Sequence, residues 1–432
     1  MRKDGAKIVY VLLDGVGDLP HPALNGLTPL EAAYTPYLDA LARNGAMGRV
    51  ITVGKGIAPQ SDIAVFNMLG YSFRDGSYVG RGVIESIGCN IDFRDGDLAL
   101  RGNFATVDEG NKNKITDRRA GRVITKEEAA AVCKFLVDGI KFSDKDASIA
   151  LVPTVAHRVV IRIRHNKMKL SDKITNTDPA YDKVEGMGVA KATTDDIYVQ
   201  EARPQVDNSK EAKMAAMLVN EFTKQTIKIL RDHPVNIARK AAGRNPMNCI
   251  LARDSGNRLP KVQPINEKYG MTIGCIVEMP VEVGISKVLG MKMYEAGALD
   301  DYELKAKVAA ESLKAAVDAV YVHLKGPDEF GHDGDARGKK RNLEEIDRRF
   351  FGTLARELEG MKNPLVVVSG DHSTPCVKKA HSDDPVPLLV SGNGIKQDAS
   401  ARFTEGYGKK GSLGLLMGAD VISTALKLAS PS

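Results

Sequence analysis

The chain has 432 residues and a mass of 46.6 kDa, which at about 150 residues per domain corresponds to two or three domains. Its 43% hydrophobic and 27% charged residues exclude a disordered chain, a collagen-like repeat and a small disulfide scaffold. The net charge of +6 is spread along the chain, with no basic stripe interleaved with aromatic residues, so we expect no nucleic-acid partner.

Membrane and export signals are not evident in the sequence. No apolar run approaches the roughly 18 residues that a membrane-spanning helix needs, and the N-terminus carries no apolar signal segment. The five cysteines are far apart and form no CxxC pair, which favours neither a disulfide framework nor a cysteine zinc site. These features predict a soluble protein of the cytoplasm without a membrane partner.

The N-terminal segment is predicted to alternate strands and helices. The apolar, β-branched run Lys7–Leu13 is typical of a parallel strand that is buried on both faces. A helix is predicted over Pro36–Arg43, a strand over 47–53 and a short helix over 62–69.

The middle of the chain has a different pattern. Strands are predicted over Leu98–Val107 and 158–164, and a capping box that starts at Thr125 opens a helix ending near Asp138. A long helical pattern from 209 to about 243 is interrupted by Pro234.

The C-terminal third returns to regular alternation. The predicted elements are a helix over 303–318, a strand over 320–324, a helix over 343–358, strands over 365–368 and 387–390, and a final helix over 413–428. Such alternation predicts a mostly parallel sheet covered by helices on both faces, with ligands bound outside the carboxyl ends of the strands.

Two residues near the N-terminus are candidates for chemistry by their position. Asp14 follows the first strand directly, although an aspartate before Gly15 could simply form a turn. Ser61 precedes an apolar helical run, where a serine is commonly an N-cap. The same position at a helix N-terminus would also suit a nucleophile that receives a phosphate.

Two further candidate sites follow C-terminal strands. Asp328 and His332 are four residues apart in PDEFGHD, so on a helix they would share one face and could bind one metal ion or form a local hydrogen bond. Asp371 and His372 directly follow the run VVVSG, and His381 lies nine residues beyond His372. An accidental cluster is the alternative, but three of eight histidines lie within this stretch beside aspartates.

The charges of these side chains favour a pair of divalent cations. Two cations carry four positive charges against three carboxylates, which leaves about one positive charge for a phosphate or a serine alkoxide. Mixed oxygen and imidazole ligands suit Mn²⁺, Zn²⁺ or Mg²⁺. A metal ion would lower the pKa of the Ser61 hydroxyl, so the residues by themselves predict two-metal phosphoryl transfer through Ser61.

Several motifs in their order along the chain resemble one family. The motifs are VLLDG, APQSD, GRGVIE, LRGNFATV, DRRAGR, PDEFGHDGD, VVVSGDHSTP and AHSDDPVP. They resemble the archaeal-type phosphoglycerate mutases, which are independent of 2,3-bisphosphoglycerate and belong to the alkaline phosphatase superfamily.

The resemblance implies an α/β fold in which an alkaline-phosphatase-like, mostly parallel sheet is sandwiched by helices. A smaller α/β (α+β) domain would be inserted into it. Residues 1–73 and 262–432 would form the metal-binding catalytic domain. Residues 74–261 would form a substrate-binding lid domain.

The resemblance also implies an activity and a ligand set. The chain would be an isomerase that interconverts 3-phosphoglycerate and 2-phosphoglycerate in glycolysis and gluconeogenesis, with Ser61 as the phosphoserine. One metal ion would be bound by four residues, Asp14, Ser61, Asp371 and His372. The other would be bound by three residues, Asp328, His332 and His381. Mn²⁺ is the preferred ion, with Mg²⁺, Zn²⁺ and Co²⁺ as alternatives.

A mutase must also retain the glycerate while the phosphoryl group is on the enzyme, which calls for cationic groups on its carboxylate. The candidates for this contact in the inserted segment are Arg118, Arg119, Arg122, Arg158 and Arg253. Each could instead be a solvated surface residue. Lys325 is a candidate phosphate contact or a plain strand-end residue, and Asp117 is a candidate general acid/base for the glycerate hydroxyls.

Two other functions remain open at this point. A metal-dependent phosphatase or phosphodiesterase could use the same scaffold, and a non-catalytic sensor of phosphorylated ligands is a third reading. The small-molecule partner would be phosphoglycerate in the mutase case. The oligomeric state stays open.

Overall fold

The computed structural model describes residues 7–73, 77–108, 110–111, 114–184, 187–190, 198–206, 208–392 and 394–429. Its strands are β1 (Lys7–Leu13), β2 (Gly45–Ile51), β3 (Leu98–Val107), β4 (Ile115–Asp117), β5 (Ala147–Pro153), β6 (Arg158–His165), β7 (Tyr181–Val184), β8 (Met187–Ala190), β9 (Cys249–Gly256), β10 (Ile273–Ile276), β11 (Lys292–Met293), β12 (Ala319–Leu324), β13 (Pro364–Gly370), β14 (Val386–Gly392) and β15 (Gly414–Met417).

The α-helices are α1 (Pro29–Ala32), α2 (Pro36–Arg43), α3 (Ser61–Met68), α4 (Arg81–Gly88), α5 (Lys126–Gly139), α6 (Lys210–Leu230), α7 (Pro234–Ala241), α8 (Ile265–Tyr269), α9 (Pro280–Leu289), α10 (Tyr302–Ala315), α11 (Pro327–Asp333), α12 (Ala336–Ile346), α13 (Gly352–Glu357), α14 (Glu405–Lys410) and α15 (Val421–Leu428). Short 3₁₀ turns cover Pro22–Leu24 and Gly418–Asp420, and a π-helical turn, Asp347–Phe351, joins α12 to α13.

These elements belong to two compact units. The first comprises Met1–Phe73, Gln263–Glu278 and Leu289–Ser432, and the second comprises Arg74–Val262 and Met279–Val288. Each unit has its own sheet and its own apolar core.

The first unit is built on an eight-stranded sheet with the order β11-β10-β12-β1-β13-β14-β2-β15. All neighbouring strands are parallel except β14, which runs antiparallel to β13 and to β2. Val9, Val11 and Leu13 of β1 pack into the core on one face, where α10, α12 and α13 lie. Ile8 and Tyr10 of the same strand line a cavity on the other face, next to α8 and α15. The predicted α/β class with a mostly parallel sheet is therefore confirmed.

The second unit is an α+β arrangement. Its sheet has the antiparallel order β4-β3-β6-β5, with β9 also paired to β3, and β7 and β8 form a separate two-stranded ribbon. Apolar side chains of β6 pack with Val132 and Leu136 of α5 and with Leu218 and Phe222 of α6. The capping box predicted at Thr125 is present, and the helical break before Pro234 falls where it was predicted.

The predicted final helix over 413–428 was wrong in its first half. Gly414–Met417 is strand β15, which pairs in parallel with β2, and α15 begins only at Val421. Gly414 has a φ of +66°, a left-handed conformation that ends local helix formation. The edge of β2 then supplies the hydrogen bonds that a helix would have formed internally.

Two other boundaries also differ from prediction. The strand expected over 47–53 is Gly45–Ile51, and the helix expected over 343–358 begins earlier, at Ala336. Asp335 caps that earlier start, because its carboxylate accepts a hydrogen bond from the backbone N–H of Gly338 at 2.8 Å.

Among the described residues, no helix combines the length and the apolar character needed to cross a bilayer. All five cysteines carry free thiols.

Candidate metal centre and arginine cluster

Three adjacent parallel strands of the first unit end at the same height. The register pairs Leu13 of β1 with Leu324 of β12 and with Gly370 of β13. The residues that directly follow these strand ends therefore lie side by side at the carboxyl edge of the sheet, as the sequence analysis expected for Asp14 and Asp371.

Gly15 allows the loops at this edge to approach each other closely. Its φ is +62°, and a Cβ placed on it would lie 2.7 Å from Thr374 Oγ1 and 2.8 Å from Asp328 Cβ. Its backbone N–H donates to Asp371 Oδ1 at 3.0 Å. A glycine is thus required between Asp14 and the loops that bear the other candidate ligands.

Four predicted ligands surround one point at this edge. His372 Nε2 lies 3.5 Å from Asp14 Oδ1, 3.3 Å from Asp371 Oδ2 and 3.1 Å from Ser61 Oγ. Ser61 is the first residue of α3 and Gln60 holds the N-cap position, so the hydroxyl faces His372 and does not cap the helix.

The three other predicted ligands form an adjoining group. Asp328 and His332 lie on α11, where His332 Nε2 is 3.6 Å from Asp328 Oδ2. His381, from the loop between β13 and β14, places Nε2 3.4 Å from Asp328 Oδ1. The ring of His372 stacks on that of His381 with centroids 3.8 Å apart, so all seven side chains come together in the first unit.

The second nitrogens of two histidines are held by backbone carbonyls. His381 Nδ1 lies 2.7 Å from the carbonyl oxygen of Pro59, and His332 Nδ1 lies 3.2 Å from that of Lys379. A carbonyl only accepts, so each Nδ1 carries a proton, and in the neutral ring each Nε2 keeps its lone pair. That tautomer is the one that can bind a metal ion toward Asp328.

Thr374, which the sequence analysis did not single out, connects the two groups. Its hydroxyl donates to Asp328 Oδ1 at 2.6 Å, and its oxygen lies 3.1 Å from His372 Nδ1. His372 therefore donates through Nδ1 and also turns an Nε2 lone pair toward the carboxylates. The only sequence signal was the position of Thr374 two residues after a candidate ligand.

His323 was missed as well. It lies on β12 with 1% of its surface exposed, and its Nε2 is 3.9 Å from Asp14 Oδ1 and 3.8 Å from Asp371 Oδ2. Lys325, two residues further along, places its ammonium 2.9 Å from Asp14 Oδ2. The alternation of side chains along a strand could have identified His323 as a neighbour of Lys325.

The electrostatics of this edge suit a cation. Burial and the nearby Asp14 carboxylate raise the pKa of Asp371, whereas burial and His381 lower the pKa of His372 and keep that imidazole neutral. Asp14 Oδ1 and Asp371 Oδ2 are buried and accept no hydrogen bond from the residues that the structure describes. Two buried carboxylates with unsatisfied oxygens and neutral imidazoles fit divalent metal ions. The donors close enough to share one ion form two groups: Asp328, His372 and His381, and Asp14, His323 and Asp371.

His372 can be assigned to either group. By distance alone it clusters with Asp328 and His381. Its Nε2, which is the nitrogen that carries the lone pair, is however within 3.5 Å of both Asp14 and Asp371. We therefore group His372 with these two carboxylates.

The second unit brings the candidate arginines into one cluster. Arg118 Nη2 contacts both oxygens of Asp178, at 2.8 and 2.9 Å, and Arg253 Nη1 contacts Oδ2 of the same residue at 3.2 Å. The guanidinium carbons of Arg253 and Arg118 lie 4.1 and 5.4 Å from the centre of the Tyr181 ring.

The remaining candidates are coupled to the same cluster electrostatically. Burial and the charge of Arg81 lower the pKa of Arg158, and burial and the charge of Arg122 lower that of Arg119. Arg81 and Arg101 belong to the cluster and were not anticipated. Glu85 and Asp178 pair with part of this charge, and the remaining excess of positive charge in a partly buried cluster is an arrangement that a carboxylate or phosphate would stabilise.

The carboxylate of Asp117 binds the backbone of the loop that bears Arg118, Arg119 and Arg122, which we call the arginine loop. Its carboxylate accepts hydrogen bonds from the backbone N–H groups of Arg119 (2.7 Å) and Gly121 (2.8 Å) and from Asn245 Nδ2 (2.7 Å). Burial works to raise the pKa of Asp117, but these donors outweigh it and the pKa is lowered. The carboxylate thus organises the loop, and its general acid/base role stays a prediction.

The loop itself is conformationally unusual. Ala120 and Arg122 have φ values of +43° and +62°, with Gly121 at +77° between them. Arg239, with a buried guanidinium, donates to the carbonyls of Ala120 (2.8 Å) and Val123 (3.0 Å). Non-glycine residues in this region are disfavoured and persist where surrounding contacts over-determine them.

Comparison with known proteins gives consistent matches along the chain. A family model described as 2,3-bisphosphoglycerate-independent phosphoglycerate mutase matches residues 42–236. A relative of that name from Aeropyrum pernix is 42% identical over 420 residues, which cover 95% of this chain and 96% of the relative. A relative of the same name from Methanosphaera stadtmanae is 36% identical, with 96% of each chain covered.

Solved structures are similar over the whole chain. A Pyrococcus horikoshii protein has a TM-score of 0.76 at 27% identity, with 99% of this chain and 98% of that chain covered. A cofactor-independent phosphoglycerate mutase from Thermoplasma acidophilum has a TM-score of 0.62 at 28% identity, with 98% and 100% covered.

Proposed function

The chain belongs to the family of 2,3-bisphosphoglycerate-independent phosphoglycerate mutases, and on that premise we propose that Ser61 carries the phosphoryl group at a centre for two divalent metal ions. Its reaction is the interconversion of 3-phosphoglycerate and 2-phosphoglycerate, and its substrate is therefore a small phosphorylated acid. The observation that carries the proposal is the position of Ser61 Oγ, 3.1 Å from His372 Nε2 among buried carboxylates.

Seven side chains would hold the metal ions. Asp14, Ser61, Asp371 and His372 would bind one ion. Asp328, His332 and His381 would bind the other. When bound, two divalent cations lower the pKa of a serine hydroxyl and draw charge from the phosphoryl oxygens. We propose Mn²⁺, with Mg²⁺, Zn²⁺ and Co²⁺ as the alternatives.

The phosphoryl group would move in two displacements. In the first, Ser61 Oγ, having lost its proton, forms a bond to phosphorus while the bond from phosphorus to one glycerate oxygen breaks, and that oxygen takes up a proton. In the second, the other glycerate hydroxyl loses its proton and attacks phosphorus, and Ser61 Oγ leaves. Asp117 is the candidate for moving the proton between the two hydroxyls.

The two units would bind different parts of the substrate. We propose that the first unit is the catalytic domain and that Lys325, already beside Asp14, contacts the phosphoryl group. The second unit would be the substrate-binding domain, in which the arginine cluster of Arg118, Arg119, Arg122, Arg158 and Arg253 receives the glycerate carboxylate. A cationic contact on the carboxylate would retain the glycerate during its turn, which separates a mutase from a phosphatase on the same scaffold.

The compartment is also part of the proposal. The free thiols of all five cysteines suit a reducing environment, and we propose that the protein acts in the cytoplasm.

An enolase-coupled assay with 3-phosphoglycerate tests the function, run with and without Mn²⁺ and without 2,3-bisphosphoglycerate. We expect 2-phosphoglycerate to form only with the metal, with far less free phosphate. A phosphatase would instead release phosphate at a rate comparable to or above isomerisation.

Ser61→Ala tests the nucleophile. We expect loss of both isomerisation and acid-stable phosphate on the protein after quenching. Ser209→Ala is the matched control, because Ser209 also stands at a helix N-terminus, where its hydroxyl caps α6. Retained turnover in Ser61→Ala would refute the phosphoserine mechanism.

A further inference from the structure

His323 is held in a fixed orientation beside the candidate metal centre. It lies on β12, where side chains alternate, so Tyr321 and His323 share one face of the strand, and Lys325 follows the end of the strand. The Tyr321 hydroxyl oxygen lies 2.9 Å from His323 Nδ1, and the opposite nitrogen, Nε2, faces Asp14 and Asp371.

The surroundings of Nε2 determine which nitrogen carries the proton. Thr374 donates to Asp328 and therefore accepts from His372 Nδ1, which fixes that ring, whereas the Tyr321 hydroxyl can donate or accept and leaves the tautomer of His323 open. At His323 the two carboxylates then favour an Nε2–H over an Nε2 lone pair. In the neutral ring, Nδ1 is then an acceptor, and the Tyr321 O–H donates to it. The Nε2–H then faces the Asp14 and Asp371 carboxylates at 3.9 and 3.8 Å, an electrostatic contact that is longer than a hydrogen bond.

His332 and His381 have the opposite tautomer. Their Nδ1 atoms face backbone carbonyls, so their Nε2 lone pairs are available to a metal ion. His323 is therefore chemically distinct from the candidate ligands, although its Nε2 also faces carboxylates.

Distances also separate His323 from the ligands. With metal–ligand bonds of about 2.1 Å, adjacent donors lie about 3.0 Å apart in an octahedral site and about 3.4 Å apart in a tetrahedral one. His372 Nε2 meets this spacing at 3.3 and 3.5 Å from Asp371 and Asp14, whereas His323 Nε2 lies at 3.8 and 3.9 Å. Asp14, Ser61, Asp371 and His372 already supply four donors.

We propose that His323 is a positioning residue: its Nε2–H orients the Asp14 and Asp371 carboxylates for metal binding, and Tyr321 fixes the tautomer that makes this possible. The inference rests on the proposed two-metal centre. Lys325 acts on the other oxygen of Asp14, so the two side chains together restrict rotation of that carboxylate. Partners of this kind typically contribute 10–100-fold to metal affinity.

Mn²⁺ titration of the full-length protein tests the proposal, with free Mn²⁺ measured by electron paramagnetic resonance. We expect the wild-type chain to bind two ions. In His323→Leu, one of the two sites should weaken by about 10–100-fold. His323→Gln should restore most of the affinity, because its amide can donate from the position of Nε2. Tyr321→Phe should fall between Leu and wild type.

Tyr10→Phe is the matched control. Tyr10 lies on the neighbouring strand β1, its ring is 6.0 Å from that of Tyr321, and its buried hydroxyl donates to the carbonyl of Met68. This variant loses a buried hydroxyl without touching His323, so its Mn²⁺ affinities should equal those of wild type. The melting temperature of each metal-free variant separates loss of fold from loss of binding.

Three results would overturn the proposal. Unchanged Mn²⁺ binding by His323→Leu would remove the role of His323 and leave the two-metal centre intact. Loss of an imidazole nitrogen signal from bound Mn²⁺ in His323→Gln, measured by electron spin echo modulation, would make His323 a ligand. Failure of the wild-type chain to bind two ions would remove the metal centre itself and the inference with it.

Discussion

Replacement of Thr374 by valine should weaken both metal sites at once. Thr374 is 0% exposed, and valine has nearly its shape but no hydroxyl. The change removes the donor to Asp328 Oδ1 at 2.6 Å and the acceptor for His372 Nδ1 at 3.1 Å. Because we assign Asp328 and His372 to different ligand groups, one hydroxyl would position a ligand of each proposed metal ion.

The size of the effect follows from the charge of the acceptor. A hydrogen bond to a charged group contributes about 1.5–3 kcal/mol, and a loss of about 2 kcal/mol corresponds to about 30-fold in a binding constant. We therefore expect the Mn²⁺ dissociation constant at the Asp328 site of Thr374→Val to rise by about 10–30-fold. At the His372 site the lost hydrogen bond joins neutral groups, so the rise there should be about 2–12-fold. The turnover number should recover as Mn²⁺ is raised, because Ser61 is retained.

The assay is a Mn²⁺ titration of binding and of isomerase activity on the same preparations. Thr226→Val is the control, since Thr226 is equally buried in the second unit and donates to the carbonyl of Thr223 at 2.8 Å. The control should lose stability without loss of metal affinity. Wild-type binding at both sites of Thr374→Val, or a change at one site only, would refute the bridging role.

Three further predictions concern stability and substrate binding. Burial and the charge of Arg158 lower the pKa of His157 to about 2 in the folded chain. The unfolded chain takes up this proton near pH 6.5. The free energy of unfolding should therefore fall below pH 6.5, by about 1.4 kcal/mol per pH unit. In His157→Gln this pH dependence should vanish. The measurement is the free energy of unfolding by urea at pH 6.5 and at pH 5.5, and an equal decrease in both proteins would contradict the prediction. Arg239→Lys keeps the charge but loses the guanidinium donors to the carbonyls of Ala120 and Val123 that hold the arginine loop. KM for phosphoglycerate should therefore rise about tenfold with kcat less affected, and an unchanged KM would count against that role. Removal of metal by a chelator should lower the melting temperature of the protein, because an ion at about 100 times its Kd stabilises the folded chain by about 2.7 kcal/mol. Identical melting curves with and without the chelator would argue against metal binding to the folded state.

Much of the fold could be predicted because its signals are local. The apolar run Lys7–Leu13, the capping box at Thr125 and the proline at 234 each act within a few residues, and the structure has the predicted element at each place. The 413–428 segment failed because its first half is a strand only by pairing with β2, which is distant in the chain.

The candidate metal ligands were recognisable from sequence for the same reason. Asp14 and Asp371 each directly follow an apolar strand, so their positions at the strand ends could be predicted locally. Asp328 and His332 are four residues apart on one helix, so their proximity could be predicted from helical spacing. The resemblance to a family then joined the separate pieces into one site.

The amino-acid sequence by itself predicted most of the strands and helices and the side chains that we propose bind metal ions and phosphate. Only the tertiary structure decided which other groups surround them: His323 and Thr374 at the metal centre, Arg81 and Arg101 in the arginine cluster. The physical reason is that these contacts depend on strand register and on the close approach of loops at Gly15, and neither is encoded within a few residues of the groups that meet.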